Sequence, residues 1–225
     1  MITKLQYKVD NSLFEKIPEL VPKFDSRIAL TTPTGDFFYD PWKISEEFSG
    51  TIWEDVLKSL PLRIGEARLV KLYPGTAYYS HADIDDRYHL NIFGEKSFLV
   101  DLDQNILHPV HNDSFWYEMD AGVRHSAVNF GNKTRIQLVV RKLLEKSNLY
   151  HPVRIKIFLV NFRTDFRFIF DDIFSPYINR LIKKGKADNF SLFNNEVFID
   201  IEKEYVEDIK SISPEHFQVK ECDLY

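Results

Sequence analysis

Four polar residues in the middle of the chain have types and spacing that suit metal chemistry. His81 and Asp83 are separated by a single residue, His125 lies further along, and Arg135 follows ten residues after it. Two imidazoles and one carboxylate on one face of an ion form the facial triad of non-haem Fe(II) oxygenases, which leaves the opposite face open. Arg135 supplies a permanent cation whose planar set of donors suits a carboxylate. The four residues therefore predict a metal site with an anion-binding group nearby.

The spacing of His81 and Asp83 predicts that they lie on a β-strand. Residues i and i+2 of a strand point to the same face, so both side chains can reach one ion while Ala82 points away. His125 and Arg135 must come from later strands, which requires a fold that gathers distant strands around a pocket. Three elements are expected around the first two ligands, namely a strand over Ala67–Leu72, a turn over Tyr73–Thr76 and a strand over Arg87–Ile92.

Two neighbouring acidic residues are alternatives to Asp83 as the carboxylate ligand. In a continuous strand, Asp86 points to the face opposite Asp83. Asp85 lies about 13 Å along such a strand from His81. Both positions favour Asp83 as the ligand.

Several short runs around these residues occur together in one known family. They are Arg87-Tyr88-His89-Leu90, Phe115-Trp116-Tyr117-Glu118, Gly122–Asn129 and Thr134–Val139. In this combination they resemble the aspartyl/asparaginyl β-hydroxylase family of 2-oxoglutarate oxygenases, which also contains free-proline hydroxylases. The resemblance covers roughly residues 68–141, about a third of the chain.

This resemblance implies a mainly β fold, the double-stranded β-helix (jelly roll) of cupin-like proteins, with flanking helices. It implies His81, Asp83 and His125 as the iron ligands. It also implies Arg135 as the partner of the distal carboxylate of 2-oxoglutarate. Some members of the family that act on protein substrates lack the carboxylate ligand. Because this chain keeps Asp83, the resemblance favours the small-molecule hydroxylases.

Other residues in the matched region have a predicted role in binding. Arg87 and His89 fall where the family holds the other end of the cosubstrate. Arg68 lies near the position of a substrate- or cosubstrate-binding arginine in some members. Trp116 is interpreted as a core residue, with lining of the substrate pocket as the alternative. His108 and His111 could form a second metal pair, although Pro109 between them favours a loop.

The function implied is an Fe(II)- and 2-oxoglutarate-dependent dioxygenase that uses O2 to hydroxylate an amino acid, free or borne by a peptide, and releases succinate and CO2. One alternative is a cupin-like metal protein that binds or isomerises a small ligand without oxygen chemistry. Such a protein has no need of a dicarboxylate clamp at Arg135. The other alternative is a non-catalytic jelly-roll interaction module, against which the complete ligand set argues.

Composition agrees with a β-rich protein and excludes several classes of partner. Of the 225 residues, 44% are hydrophobic and 15% aromatic, including 19 Phe and 11 Tyr, which strands favour. A formal net charge of −5 argues against nucleic-acid binding, which usually needs a strongly basic surface. No apolar run approaches the roughly 18 residues of a membrane span. The single cysteine and the absence of a signal-peptide pattern predict a cytoplasmic protein.

The chain is predicted to have an oxygenase jelly roll with N-terminal helices over residues 1–149 and a C-terminal α/β extension packed on it over 150–225. In the first part, a helix is expected over Ser12–Leu20. A Thr51–Glu54 capping box starts another helix, which Pro61 ends. Four elements are expected in the second part, namely a strand over Val153–Phe162, a helix over Pro176–Lys184, a strand over Glu196–Ile201 and a helix over Glu202–Ile209.

Overall fold

The computed structural model describes residues 1–160 and 165–223. Contacts divide the chain into two compact units. The first unit comprises Met1–Ser80 and Asp85–Leu143. The second comprises the short segment His81–Ile84 and the chain from Leu144 onward. The predicted domain boundary after residue 149 remains a prediction. Within the described residues, no helix has the length and apolarity needed to cross a membrane.

The first unit is built mainly from β-strands, with three short helices in its N-terminal part. The helices are α1 (Asn11–Phe14), α2 (Ile17–Leu20) and α3 (Ile52–Lys58). The strands are β1 (Ile2–Lys8), β2 (Arg27–Ala29), β3 (Thr31–Thr32), β4 (Lys43–Ile44), β5 (Ile64–Leu72), β6 (Arg87–Phe93), β7 (Ser97–Asp101), β8 (Ile106–Pro109), β9 (Phe115–Met119), β10 (His125–Asn129) and β11 (Arg135–Lys142).

The larger sheet of this unit has the order β1-β9-β6-β11-β5-β2 and the smaller one the order β10-β7-β8; β3 and β4 pair separately. All the pairings are antiparallel. Between β5 and β6 the chain visits the smaller sheet, where Ala77 bridges to Val128 of β10. It then passes from β6 to the hairpin β7–β8, returns to β9, crosses to β10 and returns to β11. This alternation between two sheets is the winding of a double-stranded β-helix, so the predicted fold class is confirmed.

The two faces of the larger sheet differ in character. One face packs on the helices through a continuous apolar core, whose members include Leu69, Leu90, Leu138, Trp116 and the helix residue Trp53. We call this the apolar face. Side chains alternate along a strand, so the neighbours of these residues point the other way. That second face, here called the polar face, carries Arg68, Arg87, His89, Asn91, Arg135, Gln137 and Arg141.

The second unit combines a sheet with helices. Its strands are β12 (Pro152–Leu159), β13 (Ala187–Phe193), β14 (Glu196–Glu202) and β15 (Phe217–Cys222), in the order β13-β14-β12-β15. Its helices are α4 (Phe166–Ile169), a π-helical turn (Phe170–Phe174), α5 (Ser175–Lys183), a 3-10 turn (Lys203–Tyr205) and α6 (Val206–Ile212). Phenylalanine rings packed 5.2–6.4 Å apart link the helices to the sheet.

Most of the predicted elements occur, with instructive exceptions. The predicted helix over Ser12–Leu20 is wrong, because it is broken into α1 and α2. Pro18 is the second residue of α2, in the first helical turn, where its missing N–H costs nothing. Thr51 caps α3 as expected, but Glu54 accepts its hydrogen bond from the backbone of Gly50. The C-terminal helix is a 3-10 turn followed by α6. The strand predicted over Val153–Phe162 corresponds to β12, and its predicted end at Phe162 lies outside the described residues.

Candidate metal centre

His125 is the first residue of β10 and is held in a defined orientation. Its Nδ1 lies 2.8 Å from the backbone oxygen of Val123. A carbonyl oxygen only accepts, so Nδ1 must carry the proton and Nε2 of the neutral ring offers the lone pair. A backbone carbonyl in this role is the usual orienting partner of a metal-binding histidine.

His81 and Asp83 occur between β5 and β6, outside any strand. The expected strand in this position is therefore wrong, although the segment still alternates in burial. Ala82 and Ile84 are buried, whereas His81 and Asp83 are partly exposed. The one-residue spacing thus keeps its predicted consequence, because the two ligands lie on the same side of an extended segment.

The structure brings the three predicted ligands together. The ligand atoms of His81, Asp83 and His125 all lie within 4.8 Å of one another. Within residues 1–160 and 165–223, this is the one group of three or more His, Cys, Asp or Glu side chains with such geometry. Two imidazole nitrogens and a carboxylate oxygen suit a divalent transition metal.

The competing acidic residues have other partners. Asp85 is buried and forms an ion pair with Arg87, with 2.5 Å between Oδ2 and Nη1. Its two carboxylate oxygens also accept from Nη1 of Arg141 at 2.8 and 2.9 Å. Asp86 accepts a hydrogen bond from the backbone N–H of Ala121 at 3.1 Å. Asp85 therefore serves an ion-pair network rather than the candidate metal centre.

Arg135 is the first residue of β11 and has an unusual environment. Its side chain is buried, with 2% relative exposure, and its Nη1 has no hydrogen-bond partner within the described residues. No described carboxylate pairs with it either. Burial lowers the pKa of Arg135 to about 10, which still leaves it protonated at neutral pH. A buried cation without a partner is costly, and an anionic ligand would offset that cost.

Gly94 makes room for Arg135. It follows β6 with a φ of +139°, a region that L side chains rarely adopt. A Cβ on Gly94 would lie 3.0 Å from Cγ and 3.1 Å from Cα of Arg135. The glycine therefore allows the backbone after β6 to approach the start of β11 closely.

Further buried polar groups lie beside Arg135 on the polar face. Gln137 is directly opposite Asn91 in the pairing of β11 with β6, and His89 is opposite Val139. The side-chain nitrogen and oxygen atoms of His89, Asn91 and Gln137 are buried without a hydrogen bond of good geometry within the described residues, although the amide of Gln137 lies near enough to the His89 ring to act on its pKa. Burial, followed by the charge of Arg135, lowers the pKa of His89 to about 3. His89 is therefore neutral at physiological pH.

The remaining arginines on the polar face have carboxylate partners. Arg87 pairs with Asp85 and also donates to the backbone oxygen of Asp85 at 2.6 Å. Nη1 of Arg68 lies 2.6 Å from Oε2 of Glu66. The same Glu66 oxygen lies 3.4 Å from Nε of Arg141. Arg135 differs from these arginines, since no carboxylate among the described residues pairs with it.

Trp116 belongs to the apolar core. It is fully buried among the residues that pack the sheet on the helices, and its Nε1 donates to Oγ of Ser59 at 2.9 Å. This corresponds to the core interpretation, so the alternative role in lining a substrate pocket is not retained. His108 is in strand β8 rather than a loop, and the ring of His111 stacks on Tyr117.

Two groups on the polar face were missed by sequence reasoning. One is the amide pair of Asn91 and Gln137, and the other is the ion-pair network of Arg141. The signal was present, because polar residues alternate with apolar ones in both strands, in Arg87-Tyr88-His89-Leu90-Asn91 and in Arg135-Ile136-Gln137-Leu138. In strands buried on both faces, such alternation predicts one polar and one apolar face.

Comparisons with known proteins are sparse. No protein-family model matches the chain, and no curated protein is significantly similar to it. Among solved structures, the chain is similar to the crystal structure of a cupin domain from Bordetella pertussis Tohama I. The identity is 10% and the TM-score 0.34, over 54% of this chain and 97% of the other.

Proposed function

We propose that this protein is an Fe(II)- and 2-oxoglutarate-dependent dioxygenase that hydroxylates an amino acid, free or peptide-borne, as the resemblance to the aspartyl/asparaginyl β-hydroxylase family implies. The observation that carries the proposal is the buried Arg135, without a carboxylate partner and ten residues beyond the histidine of a His-Asp-His group. A metal-binding group alone does not require such a cation, whereas a dicarboxylate cosubstrate does.

The residues present fit the iron that the proposal requires. His81, Asp83 and His125 offer the two-histidine, one-carboxylate donor set that leaves other coordination positions open. Bound Fe(II) supplies the activation of dioxygen and, with 2-oxoglutarate, the oxidising power for hydroxylation. The protein supplies binding, orientation and exclusion of water.

Three residues of the polar face have a defined task in this proposal. Arg135 binds the distal carboxylate of 2-oxoglutarate through two parallel N–H groups, a geometry that Lys cannot reproduce. His89 is neutral and can donate one hydrogen bond to the cosubstrate from a desolvated position. Arg87 is engaged by Asp85, so its contribution is electrostatic support next to the cosubstrate.

A second candidate function is that of a cupin-like metal-binding protein without oxygen chemistry. The pairing of Arg87 with Asp85 favours it, because one of the two residues expected at the near end of the cosubstrate already has a partner. Arg135 and His89 distinguish the two functions, since their unpartnered polar atoms have no purpose in a protein that binds a metal alone.

The proposal is tested by anaerobic titration of the protein with Fe(II) and then 2-oxoglutarate. We expect a visible metal-to-ligand charge-transfer band that needs both additions, and succinate once air and a substrate are admitted. Arg135→Ala is the matched variant, because it keeps the three metal ligands and removes the cosubstrate clamp. A wild-type protein that binds Fe(II) but gives neither band nor succinate would support the second candidate.

The substrate is sought by measuring succinate release with each free amino acid and with short peptides. Stimulation by a free amino acid is expected, because the chain keeps Asp83. Stimulation by peptides alone would identify the substrate as a peptide-borne rather than a free amino acid.

A further inference from the structure

The segment with the two ligands His81 and Asp83 lacks the support of a sheet. In a strand, neighbouring strands fix each residue through a ladder of hydrogen bonds, and this segment, apart from a single β-bridge residue at His81, belongs to no strand. It groups with the C-terminal chain rather than with the double-stranded β-helix that follows it in sequence. Two hydrogen bonds that hold it come from the C-terminal chain.

The first contact comes from the π-helical turn Phe170–Phe174. The backbone N–H of Ala82 donates to the backbone oxygen of Asp171 at 2.9 Å. π-Helical turns are rare and are frequently found at functional sites. This one is fixed by stacking of Phe170 on Phe166 and Phe174, with 5.5 Å between ring centroids in both pairs. Asp171 is further tied to Arg167 by an ion pair of 2.8 Å.

The second contact comes from Asn179 in α5. Its side chain is buried, with 2% relative exposure, and its Nδ2 donates to the backbone oxygen of Ile84 at 2.8 Å. An asparagine inside a helix is unfavourable for helix stability. Its presence at a buried helical position is explained by the carbonyl that it satisfies.

The two contacts alternate with the two ligands along the segment. Ala82 and Ile84 are buried and hydrogen-bonded to the C-terminal chain, whereas His81 and Asp83 point to the other side. Because Ala82 and Ile84 are held in place, the side chains of His81 and Asp83 are oriented toward the opposite side. We propose that Asn179, together with the π-helical turn at Asp171, positions the ligand segment before a metal binds. This gives the C-terminal chain a role in the metal site, and it rests on the proposed function.

The inference is tested by anaerobic titration of the full-length protein with Co(II), whose visible bands report ligand geometry. In the Asn179→Ala and Asn179→Asp variants, we expect Co(II) binding to weaken by about 10- to 100-fold, the usual effect of losing an outer partner of a metal ligand. The bands of any bound Co(II) should also change. Leu181→Ala is the matched control, because Leu181 is a buried residue of α5 whose apolar side chain cannot hydrogen-bond the segment. It should lower the melting temperature and leave Co(II) binding unchanged.

The outcomes separate this inference from the proposed function. If the wild-type protein binds no Co(II), the proposed metal site is wrong and the inference fails with it. If the wild type binds Co(II) and folded Asn179 variants bind it equally well, only the inference is overturned.

A measurement on the wild-type protein decides the case in which the variants do not fold. The amide hydrogen of Ala82 should exchange slowly with solvent in the metal-free protein, because the Asp171 carbonyl already holds it. Fast exchange that slows only after Co(II) is added would overturn the inference, since the metal would then be ordering the segment.

Discussion

The two faces of the six-stranded sheet are made by the same strands but differ in what they bury. One buries apolar side chains and the other buries polar atoms. On the apolar face, residues such as Leu90 and Leu138 are fully buried against the helices, and the one polar atom of Trp116 is bonded to Ser59. On the polar face, His89, Asn91, Arg135 and Gln137 keep buried polar atoms without a partner within the described residues. Leu138 and Gln137 are adjacent in sequence, yet their environments differ completely.

The contrast shows where the protein is optimised for stability and where it is not. Buried polar atoms in proteins nearly always have partners, and each one without a partner costs free energy. Several together on one face, with a cation among them, indicate a surface shaped for a polar, anionic ligand. The apolar face needs no such ligand, because its packing is complete. Substitutions on the two faces should therefore have opposite effects on stability and on ligand binding.

The largest effect is expected from His125→Ala. This change removes one of three metal ligands, so metal affinity should fall by more than the roughly 100-fold that loss of an outer partner costs, and turnover should be abolished. The melting temperature of the metal-free protein should change little, because His125 is a member of neither the core cluster around Leu90 nor that around Leu99. Succinate release and thermal unfolding are the two measurements. Full activity in this variant would refute the metal assignment.

Leu138→Ala on the apolar face should show the reverse pattern. Removal of a fully buried leucine costs about 2–5 kcal/mol in the free energy of unfolding. The side chain points away from the polar face, so the dissociation constant for 2-oxoglutarate should stay that of the wild type. Urea unfolding and ligand titration below the melting temperature measure the two quantities. Loss of ligand affinity would show that the two faces are not independent.

Arg135→Ala should chiefly weaken the binding of 2-oxoglutarate. A hydrogen bond to a charged group contributes about 1.5–3 kcal/mol, which corresponds to an affinity loss of roughly 10- to 150-fold. Arg135→Lys keeps the charge without the planar set of donors, so its affinity for 2-oxoglutarate should lie between those of the wild type and Arg135→Ala. Equal affinity in all three proteins, measured by calorimetry, would place the cosubstrate elsewhere.

The pH dependence of stability should carry a signature of His89. Its pKa is about 3 in the folded protein and about 6.5 when unfolded, so between these values the unfolded chain binds a proton that the native state does not. The free energy of unfolding should therefore fall as pH drops through this window, by up to about 1.4 kcal/mol per pH unit. His89→Gln should remove this contribution. Urea unfolding of both proteins at pH 7, 6 and 5 tests it, and parallel curves would contradict it.

Strands and the positions of most site residues were predictable from sequence because those signals are local. The apolar run and the turn residues predicted β5, and the run after the first two ligands predicted β6. The strands of His125 and Arg135 were inferred from the need to gather distant residues around one pocket. The jelly-roll winding came from resemblance rather than from any local pattern. The predicted single helix over Ser12–Leu20 was wrong, because a helix tolerates Pro18 in its first turn but not in its interior.

What the sequence could not reveal depends on residues far apart in the chain. The segment His81–Ile84 is held by Asp171 and Asn179, about ninety residues later, so the local pattern resembled a strand. The pairing of Arg141 with Asp85 requires the strand register before it can be seen. The missing partner of Arg135 is a property of its surroundings, and no motif encodes it.

The smallest and sharpest effect is expected from Gln137→Leu. The side chain is buried on the polar face beside His89, its amide atoms form no hydrogen bond of good geometry within the described residues, and leucine has a similar size. Removing unpartnered polar atoms should leave the free energy of unfolding of the ligand-free protein unchanged or raise it by about 1 kcal/mol. Under the proposed function the Gln137 amide is available to hydrogen-bond 2-oxoglutarate, so the stabilisation gained on adding 2-oxoglutarate should shrink in this variant. Thermal unfolding with and without 2-oxoglutarate, beside Leu138→Ala, measures both effects. If Gln137→Leu instead destabilises the ligand-free protein as Leu138→Ala does, the amide has a structural partner, and the polar face is a second core.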